Sequence, residues 1–373
     1  TNTVNKGAEL MLYAVLEQLE KHYPDAHVVY VPNSRGNYKP IGTNLNFKER
    51  KVLRYSRYPE AILRRLKLPR AFLTAKYPDK TVDVVLDAGG FQFSDQWGYP
   101  DHYLDLLENY YKKLHEAGCK VILLSQAFGP FKTEHGKRTA VMLQKYADLL
   151  IAREQISYDH LCAAGVDQHK IVMFPDFTLA VAGVVPPHLT HLQGKACIIP
   201  NKKMITHAGK QKTDYIGVMQ KLIEHILASG RAVFLLNHEG EGDLTICHKL
   251  NAFFDDKLEI VTGLNAKEVK GVIGNSYLVI SSRFHGVASA LSQAVPCLST
   301  SWSHKYAMLF KDYELTDSVL PIENTIAELT ARVDGILQPD NNAAMRGHLK
   351  IQKEKLAPVI ETMWQKVFST MER

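Results

Sequence analysis

The segment Tyr277-Leu278-Val279-Ile280-Ser281-Ser282-Arg283-Phe284-His285-Gly286-Val287-Ala288-Ser289-Ala290-Leu291 has the order strand, loop, helix. Tyr277 to Ile280 is an apolar run that reads as a buried strand, and the small and apolar residues from Val287 onward read as a helix. Between them lies a polar loop that carries an arginine and a histidine two residues apart. In open α/β sheets, ligands bind where a strand's C-terminal end runs into a helix N-terminus. Such a helix start offers free N–H groups and the positive end of a dipole, both suited to an anion. Arg283 adds a permanent cation, and His285 adds a residue type that exchanges protons under physiological conditions.

The same alternation continues on either side. Upstream, strands are expected at Ala196–Ile199, Ala232–Leu236 and Leu258–Val261, and helices at Asp214–Ser229, Asp243 to about Phe253 and Ala266–Ile273. Downstream, Pro296 precedes an expected strand at Cys297–Ser299, and residues 342–372 read as a helical tail. An earlier series has strands at Val82–Leu86, Lys120–Leu124, Asp148–Ala152 and Ile171–Met173, with helices at Asp101–Ala117, Thr133–Tyr146 and Ser157–Ala164. Gly183–Gln193, with Pro186-Pro187, reads as the connector between the two series. Before them come an expected helix at Gly7–Tyr23 and a strand at His27–Val31. A helix in that opening position normally follows a first strand, so a short strand is expected upstream.

Two consecutive strand–helix series imply an α/β chain of two Rossmann-like domains facing across a cleft. That is the architecture of many two-domain (GT-B-type) glycosyltransferases. The expected division is residues 1–185 for an N-terminal domain on the acceptor side and 186–340 for a C-terminal domain on the donor side. Residues 341–373 would form a helix that packs back across the junction.

Composition narrows the function classes. A chain of 373 residues is long enough for two domains, and 46% hydrophobic with 23% charged residues is that of a water-soluble globular protein. No apolar run reaches the roughly 18 residues of a membrane span, and no secretory leader is apparent. Cys119, Cys162, Cys197, Cys247 and Cys297 are scattered, without metal-ligand spacing, as expected of reduced thiols in a cytoplasmic protein. The net charge of +6 favours an anionic small molecule or an anionic membrane surface. Nucleic acid is disfavoured, because no basic run is interleaved with aromatics. Arg50, Lys51, Arg54, Arg57, Arg64, Arg65, Lys67 and Arg70 crowd one irregular region, either as a solvated face or as a dock for an anionic or lipid-linked acceptor.

Several other strand-end loops carry polar chemistry. Asn5-Lys6-Gly7-Ala8-Glu9 opens a helix with a cation and a glycine, which capping alone would also explain. Gly89-Gly90-Phe91 follows a strand and allows close backbone approach, or simply makes a tight turn. It lacks the third glycine of a dinucleotide fingerprint. Arg153 ends the third strand of the first series, where a pair with Glu154 is the alternative to ligand binding. Ser301-Trp302-Ser303-His304-Lys305-Tyr306 adds a histidine and a lysine after the last strand.

Taken in order, these pieces resemble the polysaccharide pyruvyl transferases over nearly the whole chain. The resemblance rests on Asn5-Lys6-Gly7-Ala8-Glu9, Gly89-Gly90, Gln126-Ala127-Phe128-Gly129-Pro130, Arg153 with Ser157, Pro175-Asp176, and Ser282-Arg283-Phe284-His285-Gly286 through Pro296 to Lys305. It implies a fold like the two-domain glycosyltransferases. It also implies a reaction in which phosphoenolpyruvate gives its three-carbon unit to a sugar, usually as a cyclic ketal. By motif, the donor-binding arginines fall on Arg153 and Arg283, and the general acid on His285. Contacts to substrate are expected from Asn5, Lys6, Gly7, Gly89, Gly90, Phe91, Gln126, Ser282, Gly286, His304 and Lys305. The two arginines end strands of different sheets, so they are expected on opposite walls of the cleft.

That chemistry suits the residue types. A carboxylate and a phosphate on one donor call for two cationic contacts, and a guanidinium offers a planar fork. Neither a metal nor a cofactor is called for beyond phosphoenolpyruvate as co-substrate. The partners expected are this donor and a sugar acceptor, free, nucleotide-linked or lipid-linked, at the inner face of the membrane in the last case. Two other readings remain open: a nucleotide-sugar glycosyltransferase and a non-catalytic sugar- or anion-binding protein. The first expects an acid that holds the donor ribose in the last loop, and none occurs between Pro296 and Lys311.

Overall fold

The computed structural model describes residues 4–26, 28, 82–206, 214–300, 305–315 and 318–372. The strand expected at His27–Val31, the basic region and His304 lie outside them. The described residues group into two compact units. One holds Glu17–Pro175 and the chain from Glu361 onward; the other holds the opening residues through Leu16 and Asp176–Ile360.

In the first unit, β1 (Val84–Asp87), β2 (Lys120–Gln126), β3 (Leu149–Ala152) and β4 (Ile171–Met173) form a parallel sheet in that order. Helices α2 (Asp101–Glu116), α3 (Glu134–Tyr146) and α4 (Gln155–Ala163) connect them. Val121 to Leu124 and Leu150 to Ala152 are fully buried. Continuous apolar strands of this kind are what a parallel sheet covered on both faces requires. Thr133 caps α3 by accepting from Gly136 N, which places the helix start one residue after the expected one. Helix α1 (Lys6–His22) ends in this unit, where the rings of His22 and Tyr23 pack on Phe368 at 4.5 and 5.4 Å.

The second unit has five parallel strands: β5 (Ala196–Ile199), β6 (Val233–Leu236), β7 (Glu259–Val261), β8 (Leu278–Ser281) and β9 (Cys297–Ser299). Their order is β7-β6-β5-β8-β9. The chain runs outward from β5 to β7 and then returns to the other side of β5, so the direction of winding reverses between β5 and β8. Such a reversal leaves a crevice beyond the carboxyl ends of the two strands, because their following connections depart to opposite faces. Helices α5 (Lys203–Thr206), α6 (Tyr215–Ala228), α7 (Gly240–Ala252), α8 (Ala266–Gly274) and α9 (Phe284–Leu291) link these strands. Met219, Leu222, Ile223 and Ile226 of α6 pack with Ile198, Leu235 and Ile280 of the sheet, all fully buried.

The expected strands at Ile171–Met173, Ala196–Ile199 and Cys297–Ser299 match the observed limits, and the other expected elements that fall on described residues start or stop within a few residues. Two further helices, α10 (Lys305–Asp312) and α11 (Ile326–Leu337), precede the long terminal helix α12 (Pro339–Met371). The five cysteines form no disulfide. No helix among the described residues is long and apolar enough to cross a membrane.

Candidate functional site

The loops after β5 and β8 meet at the reversal. Asn201 Nδ2 donates to the Ser282 carbonyl at 2.8 Å, and Tyr306 donates to the same oxygen from α10 at 2.8 Å. Ser282 Oγ pairs with the Tyr215 hydroxyl at 2.7 Å and with Thr300. Ser282 is thus fully buried in a polar girder that shapes the loop. Ser281 Oγ accepts from Arg283 N at 3.0 Å and fixes the entry to α9. A Cβ at Gly286 would lie 2.4 Å from Ser281 Oγ, so this glycine serves close packing of α9 on the sheet.

Arg283 turns its guanidinium inward, with the side chain only 9% exposed. Nε donates to Asp243 Oδ2 at 2.7 Å and Nη2 to Asp243 Oδ1 at 2.6 Å, a two-pronged ion pair with a fully buried carboxylate. Nη1 pairs with Glu239, whose side chain is 28% exposed. Burial lifts the Asp243 carboxyl to about 7 and lowers the guanidinium to about 10. The guanidinium still holds its charge at neutral pH, and the paired short bonds act against burial in favour of the ionised carboxylate. Lys202 N also donates to Asp243, at 3.0 Å. Burial, together with the nearby Arg283, lowers the Lys203 ammonium, which places a second cation beside the pair.

The start of α1 completes this group. Asn5 forms an antiparallel bridge with Glu239, and Lys6 N donates to the His238 carbonyl at 3.3 Å. Asn5 Oδ1 caps the helix by accepting from Gly7 N and Ala8 N at 2.9 and 3.2 Å. Lys6 pairs with Glu9 at 2.7 Å. The capping role weighed for this segment is therefore observed. The segment also brings Gly7 under the His285 ring, where a Cβ would lie 2.0 Å from Nδ1 and 2.5 Å from Cγ.

His285 is held at its other end by Asp176, the first residue of this unit after the connection from β4. Nε2 lies 3.5 Å from Asp176 Oδ2, with side-chain exposures of 15% and 1% respectively. His238, at the end of β6, is buried, and burial with Arg283, His285 and Lys6 nearby drives its imidazole well below the usual range. It is neutral near pH 7, an unsuitable proton donor. Lys305 begins α10 with Nζ 5.4 Å from the Phe284 ring centroid.

The remaining expected site residues belong to the first unit. Gly89 and Gly90 form a turn around Asp87, which accepts from Gly89 N, Gln92 Nε2 and the Tyr111 hydroxyl. Gly90 needs its positive φ of 71°. Phe91 packs edge-on against Trp97 at 5.6 Å. Gln126 ends β2 fully buried, with neither amide atom hydrogen-bonded to described residues. Its carbonyl accepts from Arg153 N at 3.0 Å. Arg153 is 6% exposed, with Nε 3.8 Å from Glu154 Oε2, and Glu154 also accepts from Ser157.

The sequence reading did not single out His238, Glu239, Asp243 or Lys203, and it gave Asp176 no role. His238-Glu239-Gly240-Glu241-Gly242-Asp243 follows strand β6 and opens a helix, the same signal that marked Arg283.

The model of the family described as polysaccharide pyruvyl transferase matches residues 5–304. The chain belongs to that family. A curated relative, the amylovoran biosynthesis protein AmsJ of Erwinia amylovora, is 20% identical over 304 residues, 74% of this chain and 71% of the relative. Among solved structures, the MnaA–UDP complex of S. aureus matches with a TM-score of 0.57 and 10% identity, over 96% of this chain and 93% of that one. The UDP-GlcNAc 2-epimerase of Methanocaldococcus jannaschii matches with a TM-score of 0.53 and 11% identity, over 89% and 90%. These likenesses establish the two-Rossmann, GT-B-type fold expected of a pyruvyl transferase. Among the described residues, no group of three or more His, Cys, Asp and Glu side chains could hold a metal ion.

In this pyruvyl transferase, Gly7→Ala is a sharp test of the α1–α9 contact. In a helix, Gly→Ala ordinarily stabilises by up to about 1 kcal/mol. Here the new methyl collides with the His285 ring, and overpacking of this kind costs about 1–3 kcal/mol. The variant is expected to lose at least tenfold in turnover and to gain no stability, as read by steady-state rates and thermal unfolding. A more stable, fully active variant would show that the ring does not rest on Gly7.

Proposed function

We propose that this family member transfers the enolpyruvyl carbons of phosphoenolpyruvate to two hydroxyls of a sugar in a surface polysaccharide or its precursor. The product is a cyclic ketal, and phosphate is released. The observation that carries this reading is the partly exposed His285, which faces the buried Asp176 carboxylate and rests on Gly7 at the reversal of the second sheet. His285 gives a proton to the methylene carbon, which becomes a methyl group, and C2 becomes an oxocarbenium centre. One sugar hydroxyl adds to C2, and its proton returns to the imidazole. The C2–O bond to phosphate then breaks, and the second hydroxyl closes the ring, its proton leaving on phosphate. The imidazolium that began the cycle is regenerated, and atoms and charge balance.

Arg283 is held in place by Asp243 and anchors the loop that carries His285. The fork expected to grip the donor is engaged by Asp243, and Nη1 pairs with Glu239, so a donor anion meets this guanidinium only by displacing the more exposed Glu239. Arg153, assigned to the donor by the family motif, is tested through the phosphoenolpyruvate KM of Arg153→Lys. The reaction itself is tested by phosphate release from phosphoenolpyruvate across a panel of free, nucleotide-linked and lipid-linked sugars, with mass spectrometry of the product. A product heavier by one pyruvate less one water is expected. Release of a nucleotide from a nucleotide sugar, with phosphoenolpyruvate untouched, would replace this reading with glycosyl transfer.

A further inference from the structure

The two nitrogens of His285 stand in different surroundings. Nε2 is buried without a hydrogen bond to any described residue, and the carboxylate oxygen facing it is Asp176 Oδ2 at 3.5 Å. Asp176 is itself tightly held. Its Oδ1 accepts from Thr178 N at 2.9 Å and from Thr178 Oγ1 at 2.6 Å. The Thr178 carbonyl in turn accepts from the buried Lys270 ammonium at 2.8 Å. The carboxylate is therefore aimed by a rigid turn. A buried ring nitrogen is costly to leave unmatched, and a proton on Nε2 lets this carboxylate match it. Nδ1 packs instead against Gly7, where a Cβ would collide with it, and the His285 side chain keeps 15% of its surface exposed.

We infer that Asp176 is a positioning residue for His285, that it holds the proton on Nε2, and that Nδ1 is the nitrogen that exchanges protons with substrate. This rests on the proposed role of His285 as the acid. The 3.5 Å separation shortens to a hydrogen bond when a bound donor anion favours the imidazolium, as unliganded sites often carry longer contacts than reacting ones. Asp176 stabilises that imidazolium without touching the substrate, and the methylene carbon receives its proton from Nδ1. Lys6 of α1, His238 after β6 and Arg283 of the same loop share this space, and Tyr313 lies near Asp176. Lys6 and Arg283 carry positive charge, and His238 is neutral. Asp176 is the carboxylate that meets the ring.

The test has two arms on the full chain. In protein labelled with 15N-histidine, the His285 signals, identified by their loss in His285→Gln, should show the Nε2–H tautomer near neutral pH in the absence of substrate. A protonated Nδ1 in the neutral ring would overturn the inference. In kinetics, Asp176→Asn should lower kcat by 10- to 100-fold with the phosphoenolpyruvate KM within about threefold. The alkaline limb of its pH–rate profile should move to lower pH, and Asp176→Glu should recover part of the loss. An unchanged kcat and profile in Asp176→Asn would sink the inference. The tautomer is read without turnover, so an Nε2–H ring in a protein that never consumes phosphoenolpyruvate would support the dyad while retiring the proposed reaction.

Discussion

His285→Gln should remove pyruvyl transfer while leaving phosphoenolpyruvate binding within about tenfold of wild type, or ~1.4 kcal/mol. Glutamine retains a polar side chain between Gly7 and Asp176 but has no proton to give at neutral pH. General acid catalysis contributes about 10²–10⁴-fold, so the loss in kcat should fall at or beyond that range. The measurement is steady-state phosphate release, paired with a direct titration of donor binding. His238 cannot take over the role, because burial and three cationic or ionisable neighbours keep it neutral. Near-normal turnover would therefore remove His285 as the acid and point to His304, which follows β9 in the sequence.

The largest effect on stability is expected from Asp243→Ala. It strands a buried guanidinium that had Nε and Nη2 satisfied by one carboxylate, and it takes an acceptor from Lys202 N. Removing one member of a buried ion pair costs about 3–5 kcal/mol, because the other charge is left uncompensated. Melting should drop on the order of 10 °C in a unit of this size. The double variant Asp243→Leu with Arg283→Met removes both charges and should recover most of that stability while staying inactive. This non-additivity separates the cost of an unpaired buried charge from the role proposed for Arg283 in the reaction. A loss under about 1 kcal/mol in Asp243→Ala would mean that water reaches the guanidinium and the pair is not buried in solution.

The sheets were legible because parallel strands covered on both faces are unbroken apolar runs, and Val279-Ile280 and Ile198-Ile199 could hardly be read otherwise. Helix α11 carried a signal that went unread: Thr325 and Glu328 form a reciprocal capping box, the Thr-x-x-Glu pattern of a helix start. In the site, Arg283 and His285 stood out because one loop carries both. Asp243 and Asp176 did not, since they lie some 40 and 110 residues away in sequence and reach the loop only through the winding of the sheet. Sequence also gave no direction to a side chain. The guanidinium expected to point at a ligand points at Asp243, and the serine expected to touch substrate supports its own loop.

The antiparallel bridge between Asn5 and Glu239 and the seating of Gly7 beneath His285 join the opening segment to loops far along the chain. Contacts this distant in sequence carry a heavy loop-closure entropy and tend to form late in folding. The strands of the second sheet pair among themselves without residues 5–16, so the sheet can assemble before the His285 ring gains its floor. Assembly of the sheet is thus separable from the seating of His285 on α1. A chaperone, a protease or a destabilising mutation that delays the return of this one helix would leave a well-formed sheet that is inert.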